Sequence, residues 1–237
     1  MTLPSPKAYL DLCRVSNLPT VWTNVLTALL LAAGKFSWQD FCLLALTLSL
    51  LYSGGMCLND LCDVGIDKLK RPNRPLPSGR VSFRGAWFFT VFLFTMGLSL
   101  LTTVSSPRAL LAGIVLLFLI VAYDTTHKLL YLSIVLMAGC RLMLFAVTAL
   151  AVSGTVGRSI LFAGTLQFCY VLLISGVARH EQSRVKPYTA PVIPIMLAGI
   201  SLLDGAIMAT LISPIWMVAG ICGTVLTLAG QRFVRGD

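Results

Sequence analysis

Charge is scarce in this chain. Only 11% of its 237 residues are Asp, Glu, Lys or Arg, against roughly 25% in soluble domains. That shortage excludes an ordinary soluble globular protein. With 57% hydrophobic residues and a mean hydropathy of +0.88, a disordered chain is excluded as well. Acidic groups are scarcest of all, 9 against 18 Lys and Arg, for a formal charge of +9. Seven cysteines (13, 42, 57, 62, 140, 169 and 222) include no CxxC pair, so they read as small buried apolar side chains and no disulfide framework is expected. The N-terminus MTLPSPKAYLDLCRVSN lacks a basic region followed by an apolar run and a small-residue cleavage site, and is not expected to be a cleaved signal peptide. Its apolar spacing (Leu3, Tyr9, Leu10, Leu12, Val15) suits a short interfacial helix instead. There is no convincing internal repeat, low-complexity tract or heptad region.

Long apolar runs are abundant. A bilayer-spanning helix needs about 20 mainly apolar residues, and eight such segments are predicted, near 17–33, 40–61, 85–104, 108–125, 131–152, 159–177, 190–212 and 214–231. The fold class expected is therefore all-α, a multispanning transmembrane bundle of about eight helices forming a single domain over 1–237. Basic residues divide unevenly across that topology. Fourteen fall on the side of the termini: Lys7, Arg14, Lys68, Lys70, Arg71, Arg74, Arg80, Arg84, Lys128, Arg179, Arg184, Lys186, Arg232 and Arg235. Only Lys35, Arg108 and Arg158 fall on the other, and Arg141 lies within a span. The positive-inside rule then predicts cytoplasmic termini. The longer loops, 62–84 and 178–189, share that side, so the chemistry is expected to be cytoplasmic. In a membrane protein the basic excess points to orientation and to an anionic substrate or lipid headgroup, not to nucleic acid.

The acidic residues gather near cytoplasmic helix ends, at Asp60, Asp63, Asp67, Asp124 and Glu181. Within NDLCDVGID, a helix places Asn59, Asp63, Asp67 and Asp60 at about 0°, 40°, 80° and 100°, on one face. Crowded carboxylates repel one another unless a cation sits among them. Oxygen-only ligands suit Mg²⁺, which is commonly bridged to substrate phosphates. A solvated acidic helix end is the plainer alternative. It is weakened by the basic run that follows, Lys68, Lys70, Arg71 and Arg74, because carboxylates for a metal beside cations for phosphate make a diphosphate site.

NDLCDVGID resembles the NDxxDxxxD signature of the UbiA superfamily of intramembrane prenyltransferases, and RPNRPLPSG (Arg71 to Gly79) is similar to that family's NRPLPSG segment. Both motifs stand adjacent, in the family's order, after a second span. The resemblance implies an Mg²⁺-dependent transfer of a prenyl group from a prenyl diphosphate to an aromatic or other lipophilic acceptor within the membrane. It implies metal binding by Asn59, Asp60, Asp63, Asp67 and Glu181, with catalytic roles for Asp63, Asp67 and Lys128. Diphosphate and pocket contacts are expected from Arg14, Asn17, Lys70, Arg74, Tyr123, Lys128, Arg141 and Arg179. Tyr123 and Lys128 resemble the family's YxxxK element with one extra residue between them, and an interfacial tyrosine is the other reading of Tyr123.

Two departures from the family stand out. Its second aspartate-rich motif, after the sixth span, is here GVARHEQSRVKP, in which Glu181 is the sole acid beside Arg179, His180, Arg184 and Lys186. Two readings follow: a single-metal site in which Arg179, Arg184 or Lys186 replaces the second cation, or catalysis that is impaired or lost. The chain is also one span short of the family's usual nine; together these features resemble a divergent, EboC-like branch. Arg141, near the middle of span five, would be costly to bury alone, at least ~3 kcal/mol. It should face the bundle interior with Asp204 or Asn24 as partner, and both a structural Arg–Asp pair and a substrate-pocket arginine fit. A membrane carrier that binds an isoprenoid without turnover is the competing function. A channel or transporter ranks last, because only Arg141 and Asp204 approach the membrane midplane.

Overall fold

The structure, a computed structural model, describes residues 6–104, 106–126, 132–183 and 191–234. Among these residues it is wholly helical, without strands. A short α1 (Pro6–Leu12) and one 3₁₀ turn (Val15–Asn17) precede α2 (Leu18–Ala33). Then follow α3 (Trp38–Lys70), α4 (Phe83–Thr102), α5 (Pro107–Thr126), α6 (Leu132–Val152), α7 (Arg158–Ser183), α8 (Val192–Leu211) and α9 (Met217–Gln231). Eight of the helices are long and apolar enough to cross a membrane, the number expected, and the chain is a multi-pass membrane protein.

Helix α2 is the axis. It packs on α3, α6, α7, α8 and α9, and Val21, Val25, Ala28 and Leu29 are fully buried along it. Sequential helices pair around it, α3 with α4, α5 with α6, α6 with α7 and α8 with α9. The outward faces remain apolar, as at Phe88, Phe118 and Ile215, which suits a surface solvated by lipid chains rather than water. On α4 and α5 the buried positions are mostly small or spaced as a single stripe, so these helices touch the bundle along one face only.

Two boundaries differ from expectation. The second span does not end near 61. It continues to Lys70, giving a helix of 33 residues, about 50 Å long at 1.5 Å per residue and well beyond a bilayer core of about 30 Å. Charged residues end the hydropathy there but not the helix. Lys68 and Lys70 in the last turn complement its dipole, and Arg71, ahead of Pro72, leaves the helical region at φ −140° and ψ 59°. The acidic motif therefore rides on a rigid rod rather than in a loop. Likewise α7 runs to Ser183, past the expected 177. The N-terminal segment is helical as predicted, with Ala8 and Leu12 buried against Cys57, Leu61, Leu76 and Val81 and Leu10 left exposed.

At the other end of the sequence, α8 and α9 meet through glycine. A Cβ on Gly205 would lie 2.8 Å from the Gly220 Cα, so the two backbones touch, the close approach that small residues permit between membrane helices. Gly220→Leu is expected to destabilise the protein by about 3 kcal/mol through overpacking against backbone. Gly157→Ala, where a new methyl meets nothing within 4 Å, serves as control. Thermal melting of both variants in detergent checks this, and equal midpoints would contradict it.

Candidate functional site

The inward face of α3 presents Tyr52, Met56, Asn59 and Asp63 at helical spacing, with Asp60 and Asp67 beside them. Asn59, Asp60 and Asp67 are buried and Asp63 is half-buried. Their charge is met by guanidinium groups. Arg14 donates from Nη2 to Asp60 Oδ1 at 3.1 Å and to Asn59 Oδ1 at 3.4 Å. Arg74 donates from Nη1 to the same Asp60 oxygen at 3.1 Å and to Asp67 Oδ2 at 2.7 Å. Asn59 donates in turn to Asp124 Oδ1 on α5 at 3.1 Å. The cation that relieves the crowded carboxylates in this structure is thus supplied by two arginines from outside the motif.

Each arginine is held in place by local structure. Arg14 has φ 48° and ψ 49°, the single left-handed non-glycine residue among those described, a conformation of order 1 kcal/mol or more above the helical basin. The turn it makes between α1 and the 3₁₀ segment brings the side chain onto α3. Burial disfavours its charge, but Asp60 opposite, together with Tyr52 and Tyr123, more than offsets that and holds its pKa above the usual arginine value. Arg74 sits in a folded loop rather than a mobile one. Its carbonyl accepts from Ser78 N and Oγ, and Leu76 and Val81 are buried beneath. Gly79 turns the chain at φ 74°, and Arg80 bridges Asn73 O at 2.8 Å and Asp11 at 2.9 Å.

The remaining predicted residues are distributed along the bundle. Tyr123 is half-buried next to Asp124 on α5, and Lys70 ends α3 exposed to solvent. Arg179 and Glu181 lie in the last turns of α7, where Arg179 donates to Ser133 Oγ at 2.8 Å. Asn17 is buried at the start of α2 and accepts from Gln231 of α9 at 3.3 Å. Arg141 lies deeper, bonded to Asn24 Oδ1 at 2.8 Å, and Asn24 passes the contact on to Asp204 at 2.7 Å. Both expected partners are present, with the neutral one between the charges. Lys128 falls outside the described residues, as do Arg184 and Lys186. Asp124 had been noted only as an acid near a helix end. A carboxylate 2% exposed in the last turns of an apolar span needs a polar partner, and that requirement was the signal available.

Among the described residues, no three carboxylate, imidazole or thiol groups enclose a metal position, because Asp60 and Asp67 are drawn onto arginine. The donor chemistry nevertheless fits Mg²⁺. Asp60, Asp63 and Asp67 are hard oxygen ligands, and Mg²⁺ uses one or two protein carboxylates while keeping waters or phosphate oxygens for the rest. Arg14 and Arg74, already at the carboxylates, are of the type that binds phosphate by two parallel hydrogen bonds.

A sequence model described as the UbiA prenyltransferase family matches residues 18–235. The digeranylgeranylglyceryl phosphate synthase of Sulfolobus acidocaldarius is 34% identical over 132 residues, 55% of this chain and 46% of that protein. The synthase of the same name from Methanococcus aeolicus is 38% identical over 114 residues, 46% and 41% of the two chains. This chain thus spans about half the length of the curated relatives it matches. Among solved structures, a UbiA homolog from Archaeoglobus fulgidus bound to GPP and Mg²⁺ superposes with TM-score 0.61 at 16% identity, over 92% of this chain and 86% of that one. The apo UbiA homolog from Aeropyrum pernix superposes with TM-score 0.57 at 17% identity, over 92% and 96%.

Arg74→Ala removes the cation from the buried Asp67, while Asp60 keeps Arg14. It is expected to lower stability by roughly 3 kcal/mol, the cost of removing one partner from a buried pair. Adding Asp67→Asn, which neutralises the carboxylate left unpaired, should recover part of that loss; chemical denaturation of the single and double variants in mild detergent measures both.

Proposed function

The chain belongs to the UbiA prenyltransferase family, and from that premise we propose that it transfers a prenyl group from a prenyl diphosphate to a lipophilic acceptor inside the membrane. The observation that carries this reading is the acidic extension of α3, with Arg14 and Arg74 bonded to its carboxylates at the end of an apolar bundle. In this reading Asp60, Asp63 and Asp67 hold Mg²⁺. Bound there, the ion would offset the negative charge of the diphosphate and make it a better leaving group. Arg14 and Arg74 exchange carboxylate oxygens for phosphate oxygens when substrate arrives, and so stabilise charge as it develops on the departing diphosphate. Tyr123, Lys70, Arg179 and, by its place in the sequence, Lys128 add contacts to the same group. The apolar helices exclude water from the electron-poor allylic carbon, favouring capture by the acceptor over hydrolysis. The basic skew supports a cytoplasmic side for this end and both termini.

The carboxylate set supports one metal rather than two, since the end of α7 offers Glu181 beside Arg179 and His180. Calorimetric titration is expected to give one Mg²⁺ per bound diphosphate, and two would overturn the single-metal reading. The function itself is tested with geranylgeranyl diphosphate and purified protein in detergent. Binding and slow diphosphate release should both require Mg²⁺. Partners that merely support a metal ligand contribute 10–100-fold, so Asp63→Ala, which removes a proposed ligand, should weaken both by about a hundredfold or more. Binding without release in every acceptor mixture would mark a carrier. Indifference to both Mg²⁺ and Asp63 would refute the proposal.

A further inference from the structure

Asn59 is the neutral member of the acidic run on α3, and its amide has two chemically opposite ends. The oxygen accepts hydrogen bonds or ligates a hard cation, whereas the NH₂ group only donates. Two partners settle which end faces which way. Asp124 on α5, a buried carboxylate, accepts from Asn59 Nδ2 at 3.1 Å. Arg14 has donors and no acceptor. Its Nη2 donates to Asn59 Oδ1 at 3.4 Å and to Asp60 Oδ1 at 3.1 Å. The amide oxygen and the Asp60 carboxylate thus converge on one nitrogen, and the amide nitrogen is turned to Asp124.

Backbone packing brings Asp124 to this place. Gly55 stands one turn before Asn59 on α3, and Ile120 stands one turn before Asp124 on α5. A Cβ on Gly55 would lie 3.0 Å from Ile120 Cγ2, so α5 rests close against α3 there. Four residues on, about 6 Å along both helices, the same register sets Asp124 opposite Asn59. A tie between helices needs no charge for this. A serine or threonine hydroxyl would satisfy the amide without the cost of burying a carboxylate. An ionised carboxylate does what a hydroxyl does not: both its oxygens only accept, so it tolerates one orientation of the amide and rejects the other.

We propose that Asp124 is a positioning residue for the diphosphate site. By holding Asn59 Nδ2, it keeps Asn59 Oδ1 turned toward Asp60, where that oxygen serves Arg14 or, once Arg14 moves onto phosphate, the metal. Asp124 acts through Asn59, one of the ligands that the family resemblance implies. The inference rests on the Mg²⁺ and diphosphate reading above and adds to it the group that orients one ligand.

The test is a mutant cycle on the full chain in nanodiscs. Two quantities are read: the Mg²⁺ concentration that half-saturates geranylgeranyl diphosphate binding, and the thermal midpoint without ligand. Asp124→Asn keeps the size but both donates and accepts, so Asn59 loses its fixed orientation. The half-saturating Mg²⁺ concentration should rise about tenfold or more, as when a partner that orients a metal ligand is lost, with the thermal midpoint unchanged. Should that variant not fold, Asp124→Ser, whose hydroxyl also donates and accepts, should give the same rise. In an Asn59→Asp background the sign should reverse. Two carboxylates then face each other, and adding Asp124→Asn, which donates to the new carboxylate, should lower the Mg²⁺ requirement severalfold. A role in packing or net charge alone predicts a loss in both backgrounds. That result, or Mg²⁺ dependence unaffected by Asp124→Asn, overturns the orienting role and leaves the transfer reading standing. Absence of Mg²⁺-dependent binding in wild type would refute the transfer reading and this inference together.

Discussion

A single carboxylate oxygen organises the end of the bundle where α3 runs past its apolar stretch. Asp60 Oδ1 accepts from both Arg14 and Arg74, and through them joins three separate pieces of chain: the turn after α1, the long helix α3 and the loop that follows it. Placing a carboxylate at 3% exposure is tolerable only with such partners. Meeting that requirement forces Arg14 into a left-handed backbone, folds the 71–82 loop down over Leu76 and Val81, and draws α1 against α3. The apolar cluster beneath and the ionic layer above therefore support each other, and neither is complete alone.

The same helix face links two charged layers at different depths. At the acidic end of α3, cations from turns and loops meet acids on a rod. Deeper in the bundle the arrangement is inverted, with Arg141 on α6 and its carboxylate two residues away in the bonding sequence. The upper layer can exchange partners because its groups lie near water. The lower layer is locked by threonine and asparagine groups on α2, which have no solvent to turn to.

Much of this was legible in the residue order, for reasons that are physical. A bilayer demands about 20 apolar residues per crossing, so the eight spans stand out, and 100° per residue places Asn59, Asp60, Asp63 and Asp67 on one face whatever the surroundings. Helix ends were less legible. Hydropathy falls at Cys62, yet nothing breaks the backbone until Pro72, and a scan for apolar runs cannot distinguish those events. The partner of the carboxylates was hidden for another reason: Arg74 reaches Asp60 and Asp67 from a loop whose fold includes a tie from Arg80 to Asp11, 69 residues away. Asn24 and Asp204 were found as partners for Arg141 from depth alone. Their order, amide first and acid second, depends on how α2 and α8 are rotated about their axes, which depth does not specify.

The central position of α2 bears on how the protein is made. Among the described spans it is the first to be translated, yet it carries Thr20, Thr23, Asn24 and Thr27 on buried positions. Thr27 bonds within the helix to the Thr23 carbonyl, but the partners of Thr20, Thr23 and Asn24 on other helices, Arg141, Ser201 and Asp204, are translated more than a hundred residues later. During biogenesis the nascent first span therefore remains incompletely matched to lipid until α6 and then the glycine-joined α8–α9 hairpin arrive. The α8–α9 pair closes the interior around α2, so the polar groups of this early span are matched by helices that follow it far along the sequence.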